Sequence, residues 1–171
     1  MEFYKLIQKR RSTRGFKAAG VEEGKLTRTL EAICLAPSAG NLQAYEVYLV
    51  RREAARQELA RAAYGQDFVA NAPVVLVFCA NPARNETRYG RRGRELYAVQ
   101  DATIAGTYAM LAVNDLGLAT VWVGSFDPEE VRAAIGAPVG QLPVAMLPVG
   151  YPNEIPEPRP RRVLADLVHE V

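Results

Sequence analysis

The stretch from Glu95 to Phe126 constrains this chain more than any other. Within it Ala98, Ala102, Ala105, Ala109 and Ala112 recur at spacings of four and three, which sets a seam of small side chains along one helix face. Ile104, Tyr108 and Leu111 form the adjoining ridge, with Met110 and Val113 beside it. A helix that is apolar over most of its circumference is buried on several sides. Gly117 is a good residue to end it, and Ala119 to Val123 then reads as a buried strand delivering Gly124 and Ser125 to its end. Asp127, Pro128 and Glu129-Glu130 signal the start of another helix, which closes at Gly136. Taken alone, Gly124 can simply make a turn and the alanine seam can be ordinary core packing.

Before this stretch, Phe3, Leu6 and Ile7 form a short helical stripe that runs into Lys9-Arg10-Arg11-Ser12-Thr13-Arg14. Arginine forks bind phosphate oxygens in bidentate fashion and a serine hydroxyl adds to them, although the same run also reads as a solvated basic turn. A helix from about Glu22 to Leu35 shows Leu26, Leu30, Ile33 and Cys34 on its buried face and stops before Pro37. The small, polar loop Ala36 to Gln43 opens into Tyr45 to Val50, which alternates like a half-buried strand. A helix containing Leu59, Ala60 and Ala63 comes next, and Val74 to Cys79 reads as a central strand apolar on both faces. Asn81 to Arg94, with Arg84, Arg88, Arg91, Arg92 and Arg94, reads as a mobile polar loop. Leu142 to Gly150 is a further strand, and the prolines at 152, 156, 158 and 160 force an extended tail ahead of Arg161.

The order of elements predicts an α+β fold, a mixed central sheet of about four or five strands flanked by helices. The 171 residues suit one domain, with no internal repeat. A formal net charge of +2 does not point to nucleic acid or to a membrane surface. The first residues lack an apolar signal segment, and the long helix carries Asp101, Asn114 and Asp115, so a cytoplasmic protein without a membrane span is expected. Cys34 and Cys79 read as core thiols. His169 is the sole histidine and lies near the C-terminus, which argues against hydrolytic triads. Phosphate-binding glycine fingerprints and metal-ligand spacings are absent from the sequence. A chain offering phosphate binders, amides and turn backbones but no acid-base apparatus would rely on a cofactor for its chemistry.

Four segments fall in a recognisable order: Arg10 to Arg14; Ala36 to Gln43; Gly90 to Tyr97 leading to Gln100-Asp101; and Gly117-Leu118 through Trp122 to Phe126. Together they resemble the short form of the nitroreductase family of FMN-dependent oxidoreductases, over nearly the whole chain. The resemblance implies one domain over residues 1–171. It also implies an interlocked homodimer packed through the long helices, where the alanine seam would let the two helices approach closely, with the tail from 151 clasping the partner and two FMN sites shared between chains. Arg10, Arg11 and Ser12 would then hold the FMN phosphate and ribityl chain, helped by Arg159 and Arg161. Arg14 would lie near the flavin N1 and C2 oxygen, where a cation stabilises the charge that appears on reduction. Pro37, Ser38, Ala39 and Asn41 would approach from the partner chain, Gly124 and Ser125 would present backbone N–H groups toward N5 and O4, and Gln66 would be a further contact. The implied reaction is hydride transfer from NADH or NADPH to the flavin and then to a nitroaromatic, quinone or similar acceptor. Relatives of the fold also resemble reductive dehalogenases and flavin-consuming enzymes, and a flavin-free binding protein using the N-terminal arginines is the alternative from another class. Gln43-Ala44-Tyr45 departs from the family's common N-x-Q-P-W pattern.

Overall fold

The computed structural model describes residues 2–171. Its centre is an antiparallel sheet of four strands in the order β1-β2-β4-β3: β1 Tyr45–Val50, β2 Val74–Ala80, β3 Ala119–Thr120 and β4 Leu142–Gly150. Tyr45 to Val50 lie opposite Ala80 to Val75, and β2 pairs with β4 from Val74–Val149 to Ala80–Leu142 with an irregularity between Phe78 and Cys79. The ladders between named strands are all antiparallel, and the parallel component of the sheet is the bridge from Ser12 to Thr120.

Every residue of β2 is buried because helices cover both faces of the sheet. Leu76 and Phe78 point to one side, against α2 (Glu23–Cys34) and α6 (Ala98–Asp115). Val75, Val77 and Cys79 point to the other, against α3 (Glu53–Ala62), α4 (Phe68–Asn71) and α7 (Pro128–Ile135). This alternation is the period of a strand with two dry faces. α7 begins as its sequence demands: the Asp127 carboxylate accepts from the N–H groups of Glu129 and Glu130, Pro128 is the first helical residue, and Gly136 ends the helix in the left-handed conformation.

The alanine seam of α6 faces its own subunit. Ala98, Ala102, Ala105 and Ala109 have no exposed surface, and Ala105 and Ala109 pack against Phe78, Leu147 and Val149 of the sheet. The expectation that these alanines form the close contact between two long helices of a dimer is therefore corrected. Small side chains here let the helix approach the sheet instead. Gly106 shows how closely, since a Cβ there would lie 2.8 Å from the Trp122 ring.

Three further expectations need correction. Asn81 to Arg94 is not a loop: Pro82–Arg92 forms α5, followed by a wide π-helical turn Gly93–Tyr97 that leads into α6. The strand expected over residues 119–123 keeps regular pairing only at Ala119–Thr120, with Val123 returning in a single bridge to Met146. Cys34 is exposed, whereas Cys79 is buried, and the buried setting pushes the Cys79 thiol up to about 12. α1 (Phe3–Lys9) precedes the basic run, and residues from Tyr151 onward run extended apart from one short turn at Leu164–Asp166. Among the described residues no helix is long and apolar enough to cross a membrane.

The packing of α6 makes a definite prediction. Ala105→Leu would push a branched side chain into a contact already closed, and overpacking of this kind costs about 1–3 kcal/mol. Urea unfolding should show that loss of stability; an unchanged midpoint would mean that the spacing between helix and sheet relaxes freely.

Candidate functional site

Just after α1 the chain runs beside β3. Thr13 N–H donates to the Thr120 carbonyl at 3.2 Å, Lys17 N–H to the Tyr151 carbonyl at 2.9 Å, and Asn153 N–H to the Gly15 carbonyl at 2.9 Å. These bonds lay the basic run against the start of the C-terminal tail. Arg10, Arg11, Ser12 and Arg14 from one chain end and Arg159 and Arg161 from the other then line a single groove of about 840 Å³, together with Pro156 and Pro158. Six of the predicted binding residues are thereby brought together by folding.

The groove is electrostatically incomplete. Arg10 is half-buried, and its Nη1 has no hydrogen-bond partner among the described residues. Burial holds its guanidinium below the usual arginine value, with the charges of Arg161 and Arg11 acting in the same direction. Buried donors crowded by like charge make an anion site. The basic run is also no free arm, because Arg11 Nη1 donates to the carbonyls of Gln8 and Arg10 at 2.6 and 2.9 Å.

Arg14 extends the groove toward the turn after β3. Its guanidinium carbon lies 5.7 Å from the centre of the Phe68 ring in α4. Gln66, just before that helix, donates from Nε2 to the carbonyls of Ser125 and Ala63, both at 3.0 Å. Gln66 thus steadies the exposed Gly124-Ser125 turn, and its amide nitrogen is already used within the chain. Glu154 was missed in the sequence: its Oε1 accepts from the N–H groups of Arg14 and Gly15 at 2.5 and 2.9 Å.

Pro37, Ser38, Ala39 and Asn41 lie elsewhere. Their loop enters β1, at one edge of the sheet, whereas the basic groove borders β3 at the other. Three strand spacings separate those edges, roughly 14 Å. The loop is unusual in its backbone: Gly40, Asn41 and Gln43 all have positive φ, at 54°, 58° and 50°. Gly40 is required, since a Cβ there would run into the Tyr89 hydroxyl as well as adopt that conformation. Ser38 Oγ accepts from Gln43 N–H at 3.0 Å, and Asp101 on α6 accepts from Ala39 N–H at 2.9 Å and from Ala44 N–H at 3.3 Å. α5 backs the same loop, with Arg84 Nε donating to the Leu42 carbonyl at 2.9 Å. Among the described residues no group of histidine, cysteine and carboxylate side chains could hold a metal ion.

A family model described as the Nitroreductase family matches residues 7–66 and 60–151. A protein of Thermus thermophilus called NADH dehydrogenase is 34% identical, the alignment covering 94% of this chain and 91% of that one. The solved structure of B. megaterium NfrA2 superposes with a TM-score of 0.90 at 28% identity, over 97% of this chain and 72% of that one. The NADPH:FMN oxidoreductase from Vibrio harveyi complexed with NAD+ superposes with a TM-score of 0.89 at 27% identity, over 98% and 76%. The chain belongs to the nitroreductase family and is an oxidoreductase of that class.

Glu154 makes the joint between the basic run and the tail sensitive to acid. The hydrogen bonds from Arg14 and Gly15 hold its carboxyl below the ordinary value of 4.5. A depressed folded value means that the tie is present above the ordinary value and is lost as pH falls through the folded one. Protection of the Arg14 and Gly15 amides from exchange, corrected for intrinsic rates, should therefore fall toward low pH. In Glu154→Gln it should be weak already near pH ~6 and vary little with pH; a wild-type dependence retained in that variant would remove Glu154 from the joint.

Proposed function

We propose that the protein is an FMN-dependent oxidoreductase that works as a homodimer, taking electrons from NADH or NADPH and passing them to an electron-poor small molecule such as a nitroaromatic or a quinone. The observation that carries this reading is the Arg10 guanidinium, half-buried among Arg11 and Arg161 with one nitrogen unpartnered. A phosphate dianion would complete that nitrogen's bonding and balance the crowded charge. Arg10, Arg11, Ser12, Arg159 and Arg161 would hold the FMN phosphate end, and Arg14 would lie toward the ring system. The chemistry that FMN supplies when bound is two-electron transfer from a nicotinamide donor to the acceptor. Exposed Gly124 and Ser125 would present backbone N–H groups to the ring edge, where the lack of bulk permits close approach. The cytoplasm is where such a donor would be met.

A homodimer is supported by where the two halves of the site lie on α6. Asp101, near its start, holds the 38–44 loop, while Asn114, near its end, lines a small cavity with Arg10 and Arg11. Thirteen residues of helix place those ends roughly 20 Å apart. Gln100, Thr103, Ile104, Thr107 and Leu111 follow one another along the face opposite the alanines, and none of them is buried. An antiparallel pairing of this face with itself about Thr107 sets Gln100 against the partner's Asn114 and Thr103 against the partner's Leu111, as a two-fold contact requires. It also brings the partner's 38–44 loop to this chain's basic groove, so that Pro37, Ser38, Ala39 and Asn41 would serve the FMN held by the other subunit. The apolar tail residues Val163, Leu164, Leu167 and Val168 are all exposed on the single chain, and a clasped partner would cover them. Residues 1–171 then act as one domain, with 151–171 as the clasp.

Arg10→Ala combined with Arg161→Ala should strip the phosphate site while leaving the sheet intact. The visible spectrum of the purified variant should lose its flavin bands, and added FMN should bind at least ~100-fold more weakly, since each charged hydrogen bond is worth about 1.5–3 kcal/mol. A wild-type protein that is colourless and takes up no FMN would overturn the proposed function; a double variant with normal flavin content would move the phosphate elsewhere.

A further inference from the structure

Asp101 is one of the few polar residues buried within the subunit, with 1% of its surface exposed, and it lies in the first turn of α6 beside Ala98 and Ala102 of the alanine face. Its surroundings are unusual for a carboxylate. Among the described residues no lysine or arginine meets it within ion-pair distance. It is instead held by three N–H donors: Ala39 backbone at 2.9 Å, Ala44 backbone at 3.3 Å and Asn85 Nδ2 at 3.1 Å. The two backbone donors bracket the segment in which Gly40, Asn41 and Gln43 adopt left-handed conformations. Left-handed backbone at Asn41 and Gln43 is unfavourable for residues with side chains, and persists where the surroundings over-determine it. Asn85 is itself fully buried and belongs to α5, so the carboxylate ties the loop to two helices at once.

We propose that Asp101 is the positioning residue of this loop: one carboxylate clamps both ends of a strained turn and so fixes the face that Ser38, Ala39 and Asn41 turn toward the flavin. This role rests on the flavin reading above. Asp101 itself is buried beneath the loop and is assigned no contact with the cofactor; it acts through the backbone it holds. The nearby arginines of α5 take a supporting part, with Arg84 on the Leu42 carbonyl, rather than forming a solvated polar loop.

Asp101→Asn is the direct test, because it conserves shape while replacing one acceptor oxygen by an NH2 group facing an N–H. One buried donor is then unsatisfied, and FMN affinity measured by fluorescence quenching of the apo-protein should fall about 10–100-fold. Asn85→Ala leaves both backbone donors on the carboxylate and should weaken FMN by only about threefold. Amide exchange of the apo-proteins supplies a readout that does not depend on flavin. Asp101→Asn should lose protection at Ala39 and Ala44 while β2 and β4 stay protected. Wild-type affinity together with wild-type protection in Asp101→Asn would overturn the proposal. So would an Asp101→Asn chain that fails to fold alongside an Asn85→Ala chain that loses stability but binds FMN as the wild type does, since Asp101 would then be a core residue only. Should the wild type bind no FMN, the flavin reading fails, and the exchange comparison still decides whether Asp101 holds the loop.

Discussion

The close approach of α6 to the central sheet is the contact on which the other elements depend. Ala98, Ala102, Ala105, Gly106 and Ala109 remove bulk from one face, so that the helix axis settles directly over β2 and β4. Larger side chains would lift it, and with it both structures anchored to its ends. The loop before β1 hangs from Asp101 at the start of the helix, and the basic run and β3 pack near its end, where Leu118 joins the same core as Ala109 and Val113. Helix and sheet therefore act as a ruler that fixes the distance between two half-sites. On the proposed reading neither half would be a complete binding site on its own, because one supplies charge and the other supplies a shaped backbone.

Much of the architecture was legible because it follows from single-chain periodicity. β1 and β4 begin and end at the residues that alternation and flanking turns indicate, and α7 has the capping carboxylate, the leading proline and the terminal glycine that define a helix locally. The basic groove was legible as a list of arginines at both chain ends, although only folding shows that they converge. What could not be read is set by partners distant in sequence. α5 carries no apolar stripe and buries only Asn85. It is held by polar ties, among them Arg94 with Glu86 and Arg91 with Glu95. Asn81-Pro82 at its start was the available signal, being a helix-opening pair outweighed by the run of charge that follows.

The alanine seam shows a different limit. A stripe of small residues states that something comes close, but not whether that is a sheet of the same chain or a helix of another. Here Phe78 and Leu147 occupy the position. β3 is shortened for a related reason: after Thr120 the chain turns its Trp122 ring into the space above Gly106 instead of continuing the ladder. Asp101 could have been singled out as the one acid on the alanine face. A carboxylate in that position must be satisfied by several donors, but which donors, and that they belong to the loop from Ala39 to Ala44, is a tertiary fact.

The two half-sites share an energetic character that bears on how the enzyme works. One concentrates guanidinium groups around a half-buried Arg10 whose nitrogen lacks a partner, and the other holds three left-handed residues within four positions. Both are unfavourable in isolation and both persist because the sheet and α6 hold them in place. On the proposed reading, a ligand with its phosphate in one chain's groove and its planar ring against the partner's loop would relieve the first and exploit the second without asking either chain to rearrange. Preorganisation of this kind would leave little ordering to be done on binding, so the free energy of phosphate neutralisation would go into affinity. On the same reading the ring end, met by small residues and backbone, would keep one face open to a succession of donors and acceptors.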